Sequence, residues 1–168
     1  MDKSFTSSSK YNANPSLWSP GVLLATWFGC GYLPKAPGSW GALASLPFAW
    51  VIVIHGGPWA LILASTVVFF VGIWASNVYI TKSEVLDPGP VVIDEVVGQW
   101  LTLAFVPTEL TVYAIGFFLF RLADIFKPWP VCWADRKIIG GFGVMLDDVL
   151  AALYSGGIVY LLCKMNFF

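Results

Sequence analysis

An all-α, polytopic membrane helix bundle is the fold class that this sequence predicts, and three observations predict it. The 168 residues are 58% hydrophobic and 11% charged, where a soluble domain carries about 25% charged residues. Mean hydropathy is +0.76. Apolar runs near the roughly 20 residues that a helix needs to cross a bilayer recur along the chain.

Residues 1–20, "MDKSFTSSSKYNANPSLWSP", are rich in Ser and Asn and hold no apolar stretch of signal-peptide type, so they read as a mobile cytosolic tail. Residues 21–168 form a single membrane-embedded domain. Residues 22–32 are apolar but short and broken by glycine, which suits an interfacial or re-entrant piece. The first span covers 40–54 and ends at "HGGP"; the second covers 58–80 without a charge. The third, 91–106, carries Asp94 and Glu95 near its start and stops at Pro107, so it is short or partly inserted. The fourth, 110–126, takes in Arg121 and Asp124 and is closed by Pro128. The fifth, 144–163, holds Asp147 and Asp148 just after "GGFG". The expectation is therefore four to five transmembrane or partly inserted helices, with Ala152 and Gly156 permitting close packing on the last. Trp100, Trp129 and Trp133 read as interface markers.

Lys and Arg in short loops stay cytoplasmic. Lys3, Lys10 and Lys35 precede the first span, Lys82 follows the second, and Arg121, Lys127, Arg136 and Lys137 lie between the fourth and fifth. These segments therefore face the cytoplasm, with only Lys164 dissenting. On this threading Asp87, Asp94, Glu95, Asp124, Asp135, Asp147 and Asp148 share one membrane level at the cytoplasmic ends of their spans, and Glu109 alone lies on the far side.

An ionisable group at a helix centre costs about 2.5–3.5 kcal/mol on insertion scales, so intramembrane charge points to function. Asp94, Glu95, Asp124, Asp147 and Asp148 come from three helices and offer hard oxygen ligands without His or Cys, a set that suits Mg²⁺ or Mn²⁺. A cation also explains how like charges stay ionised together. Asp135 is a further neighbour. The competing reading pairs these acids with Arg121, Lys127 and Arg136 as an interfacial charge belt. "FRLADIFKPWP" sets Arg121, Asp124 and Pro128 on one helical face with Lys127 close by, a stripe able to hold phosphate beside a metal. The glycine turns "APGS" and "GGFG" can present free N–H groups and a helix dipole to an anion, with Ser39 as an N-cap and Gly141 and Gly143 in the second turn.

Absences narrow the chemistry. His55 is the lone histidine, no Cys is followed six residues later by Arg, and no two aspartates stand two apart. Histidine-dependent, cysteine-dependent and D-x-D phosphatases are excluded, which leaves carboxylate-held Mg²⁺. Cys30, Cys132 and Cys163 form no C-x-x-C pair and read as packing residues. A net charge of −1 without a basic tract excludes nucleic acid as a partner.

The stretches "LLATWFGCGYLPKAPGSWGALASLP", "IDEVVGQW", "FRLADIFKPWPVCWADR" and "GGFGVMLDDVLAALYSGG" resemble, in order and spacing, the signature segments of the bacterial phosphatidylglycerophosphatase A family, with Ser39 where threonine is expected. The resemblance implies a Mg²⁺-dependent phosphatase of the inner membrane that converts phosphatidylglycerophosphate to phosphatidylglycerol on the cytoplasmic face. Asp94, Glu95, Asp124, Asp147 and Asp148 would hold the metal and act in catalysis, while Lys35, Ser39, Arg121, Lys127, Arg136, Gly141 and Gly143 would receive the phosphate. The alternative is an ion or small-solute transporter using the acids as a cation site, which expects charges at mid-membrane and repeated halves.

Overall fold

The structure, a computed structural model, describes residues 15–165 and Phe167. The tail expectation for residues 1–14 lies outside the described residues. Among them are six α-helices and no strand: α1 (Pro20–Ala25), α2 (Pro37–Ser83), α3 (Ile93–Leu103), α4 (Leu110–Phe126), α5 (Val131–Lys137) and α6 (Gly140–Lys164).

α2 covers both of the first two expected spans. Its 47 residues are interrupted at Gly57, whose φ of 72° and ψ of −176° leave the helical region, and Pro58 follows. Glycine reaches this φ without the Cβ penalty, and proline then restarts a helix at its first position. The limbs fold back on each other. A Cβ on Gly41 in the first limb would meet Val92, and one on Gly72 in the second would lie 3.5 Å from Ile93, so both reach the start of α3. The Trp59 and Phe105 rings, 5.4 Å apart, mark the turn at the opposite end.

α2 and α6 are each long and apolar enough to cross a membrane, and only 28% and 33% of their apolar windows are buried inside the molecule. That exposure distinguishes them from core helices of a soluble protein, whose apolar faces are covered. α4, with 17 residues, reaches about 25 Å, and α3, with 11 residues, about 16 Å. The third expected span is thus a short helix enclosed by the others. Val96, Val97, Gln99 and Trp100 are all buried.

Glycine and small residues let α3 and α6 approach closely. A Cβ on Gly98 would stand 3.0 Å from the Asp148 carbonyl, and one on Gly156 would stand 3.3 Å from Thr102 Cα. Thr102 and Ser155 then share a hydroxyl hydrogen bond of 2.8 Å. The small face of α6, read from Ala152 and Gly156, is used within the chain.

Three expectations are corrected. Trp100 is not an interface marker: it is 4% exposed, and its Nε1–H donates to the Ser45 carbonyl at 3.0 Å. Trp129 and Trp133 are exposed. Ser39 is not an N-cap, because α2 begins at Pro37 behind Ala36, whose left-handed φ of 50° supplies the turn. Pro128 does not share a helical face with Arg121 and Asp124, because α4 ends at Phe126, as its expected bounds had it, with Lys127 in the left-handed conformation. Between the fourth and fifth expected spans lies a short helix that the sequence reading did not assign, α5 at Val131–Lys137.

Residues 22–32 form α1 and a 3-10 turn at Cys30–Tyr32, joined by a tight bend with positive φ at Trp27, Phe28 and Gly29. The Ala25 carbonyl accepts from the Val92 N–H at 2.9 Å, which ties this segment to the start of α3.

Candidate metal and phosphate site

The end of the bundle where α3 begins, α4 ends and α6 begins holds the charges. Asp94 and Glu95 occupy the first turn of α3, where a helix favours negative charge. Asp148 enters from the third turn of α6. One carboxylate oxygen from each of Asp94, Glu95 and Asp148 lies within 4.8 Å of the other two. Asp94 Oδ1, Glu95 Oε2 and Asp148 Oδ2 are buried with no hydrogen-bond partner. A buried polar atom without a partner costs about 1–3 kcal/mol, more when charged. Three converging acids, each with such an atom, form an arrangement that a hard divalent cation satisfies, because such ions take carboxylate oxygens. The donor set therefore fits Mg²⁺.

Asp147 takes a different direction, as expected for adjacent helix positions about 100° apart. Its Oδ2 accepts from Lys127 Nζ at 2.8 Å, and Lys127 also donates to Asp135. Burial pulls the Lys127 ammonium down, but the two carboxylates more than reverse this and hold it above the usual lysine range. The left-handed cap at Lys127 turns the chain at the end of α4, and α5 brings Asp135 back beside it.

Arg121 pairs with Asp124 at 2.9 Å, three residues on along α4, and with Glu95 at 3.5 Å. The competing intrahelical pairing is therefore the geometry that Arg121 and Asp124 adopt. Gly38 lies against this pair: a Cβ there would sit 1.9 Å from Glu95 Oε1 and 3.0 Å from Arg121 Nη2. The start of α2 can pack on the acids only because position 38 has no side chain.

A cavity of about 230 Å³ opens onto the acids. Asp94, Glu95, Asp124, Lys127, Asp135, Gly143, Asp147 and Asp148 line it, together with Asp87 and an apolar wall. Lys35, Ser39, Arg121, Arg136 and Gly141 are not among its lining residues. Lys35 and Arg136 are exposed. Gly141 does not offer a free amide, since its N–H donates to Asn77 Oδ1 at 2.8 Å. Gly141 and Gly143 also serve packing: a Cβ on the first would meet the Ile73 carbonyl, and one on the second the Ile138 carbonyl.

Sequence reasoning missed Gly38, Asn77 and the lining role of Asp87. Gly38 had a signal in "APGS", but its steric purpose depends on a partner 57 positions away in the chain. Asn77 had one too, as an amide in an apolar run.

The phosphatidylglycerophosphatase A profile matches residues 23–163. The Escherichia coli K12 phosphatidylglycerophosphatase A is 39% identical over 144 residues, which covers 84% of this chain and 83% of that protein. The Haemophilus influenzae phosphatidylglycerophosphatase A is 36% identical over 146 residues, covering 86% and 90%. A Bacteroides thetaiotaomicron protein, provisionally named a phosphatidylinositol-3-phosphatase, is 42% identical over 145 residues, covering 80% and 87%. No solved structure matches the chain significantly. The transporter alternative finds no support: the acids gather at one end of the bundle, and these relatives carry phosphatase names. The profile match and the identities over most of each chain lead to one conclusion: this chain belongs to the phosphatidylglycerophosphatase A family, a phosphatase of phospholipid metabolism.

Proposed function

We propose that the chain removes the terminal phosphate of phosphatidylglycerophosphate, giving phosphatidylglycerol, with Mg²⁺ held by Asp94, Glu95 and Asp148 on the cytoplasmic side of the inner membrane. The observation that carries this reading is the meeting of three carboxylates, each with a buried oxygen that has no partner, at one end of an apolar bundle. The two limbs of α2, α4 and α6 cross the bilayer, α3 enters part of the way, and the 22–32 segment lies at the interface. The distribution of Lys and Arg supports the cytoplasmic orientation.

Mg²⁺ bound there supplies a Lewis acid toward the phosphoryl oxygen and makes water more acidic. The chain's own groups do the rest. The Lys127 ammonium has three donors; two point to Asp135 and Asp147, and the third is available to a phosphate oxygen in the cavity. Arg121 acts one layer back, orienting Glu95 and Asp124 rather than touching phosphate. One cavity carboxylate accepts the proton of the attacking water.

Phosphate release from phosphatidylglycerophosphate in detergent micelles tests the proposal, with phosphatidylinositol 3-phosphate as the competing substrate. Release that requires Mg²⁺, stops in excess EDTA and resumes on adding Mg²⁺ is the expected result. Full activity in EDTA rejects the metal, and preference for the phosphoinositide rejects the substrate.

A further inference from the structure

The cavity that holds the acids has a second wall of opposite character. Leu86, Pro88 and Val91 line it from the connection after α2, and Ile138, Ile139 and Val144 from the start of α6. Most of these are at least partly covered, but Leu86 is 70% and Ile139 79% exposed. They come from chain segments 53 positions apart, yet both line the cavity that contains Lys127 and Asp148. Ile139 stands in extended backbone just before α6, and Leu86 lies three residues past the end of α2. Their exposure gives the acid-lined cavity an apolar edge, which handling a phosphate alone does not require.

We propose that Leu86 and Ile139 are two apolar lips that grip the glycerol backbone and first acyl carbons of a lipid phosphomonoester while its phosphate reaches Lys127 and the carboxylates. The assignment rests on the phosphatase reading above and deepens it by naming what selects a membrane-borne substrate over a soluble phosphate ester. Two other apolar grooves among the described residues do not compete for this role. One lies beside Leu101 and Gly156, the other beside Leu46 and Tyr113, and neither is lined by a charged residue. The lips join apolar surface to the acids within one cavity.

The test compares kcat and KM of the full chain for a long-chain phosphatidylglycerophosphate and for ethyl phosphate, a soluble phosphomonoester with neither glycerol backbone nor acyl chain. Leu86→Gln, Ile139→Gln and the double variant are measured with Leu86→Met and Ile139→Val as conservative controls. The double Gln variant should raise KM for the long-chain lipid about tenfold and for ethyl phosphate no more than about twofold. Loss of uniform binding falls on KM in this way, not on kcat. The conservative variants should restore the original KM. An unchanged long-chain KM overturns the assignment, as does an equal loss on both substrates, which would mark a general disturbance of the cavity. If the unmodified chain releases no phosphate from either substrate, the phosphatase reading itself falls and takes the lips with it.

Discussion

Asp148 and Asp147 are neighbours in sequence and belong to two different electrostatic regions. Asp148 sits with Asp94 and Glu95 in a centre where each acid keeps a buried oxygen without a partner. Asp147 sits in a flank, bonded to Lys127, which also holds Asp135, while Arg121 and Asp124 form a second flank. A flank whose acids have a cation of their own is compensated in part, with Lys127 shared between Asp135 and Asp147, and pairing offsets some of the desolvation of these charges. The centre is incomplete without something positive brought from outside. The difference separates groups that hold a cation from groups that keep the holder in shape.

The largest expected effect tests that separation directly. Asp94→Asn and Asp148→Asn should each cut phosphate release about 10³-fold, within the range for groups that take part in proton transfer or charge stabilisation. Asp147→Asn should cost only about tenfold, because Lys127 retains Asp135. Isothermal titration of Mg²⁺ should lose its signal in the first two variants and keep it in the third. Equal losses in all three would erase the distinction between centre and flank.

Second in size are variants that act on Glu95 through its supports. Arg121→Met removes the cation shared by Glu95 and Asp124 and leaves two mostly buried carboxylates uncompensated. Removing one partner of a buried pair costs about 3–5 kcal/mol of stability, so a fall in melting temperature should accompany a 10- to 100-fold loss of activity, the range for groups that orient metal ligands. Gly38→Ala separates the two effects. Its Cβ would stand 1.9 Å from Glu95 Oε1, so the carboxylate must move while every charge pair remains chemically available. Activity should drop about tenfold or more and the Mg²⁺ requirement should rise. Normal activity in Gly38→Ala would show that the position of Glu95 is not critical.

The sequence made some of this legible and hid the rest for physical reasons. The bounds of α4 followed from hydropathy, since a run of apolar residues closed by Pro128 leaves little freedom. The break between the first two spans was visible in "HGGP", where Gly57 supplies a positive φ. The set of acids was visible too, because charge in an apolar chain stands out. Which acid faces which partner was not, since it depends on helix rotation and on the turn at Lys127. Hydropathy placed Trp100 at an interface because tryptophan is enriched there, but a carbonyl from Ser45 in another helix satisfies its N–H in the interior. α5 carried signals in Pro130 at its cap and basic residues in its last turn. Its seven residues were too few for periodicity to register.

Asp135 provides the smallest and most discriminating test of the comparison. It belongs to the flank by geometry, pairing with Lys127, and its side chain is 32% exposed. Exposed ion pairs contribute about 0–1 kcal/mol, and Asp147 continues to hold Lys127 when Asp135 is neutralised. Asp135→Asn should therefore lower phosphate release about two- to threefold, and by less as ionic strength rises, because salt already screens the exposed pair. A metal ligand behaves otherwise: its loss would be large, insensitive to NaCl and partly offset by raising Mg²⁺. Measuring Asp135→Asn at low and high NaCl and at two Mg²⁺ concentrations distinguishes the two. A loss of a hundredfold or more that Mg²⁺ relieves would move Asp135 from the flank into the centre and extend the cation site across the cavity to α5.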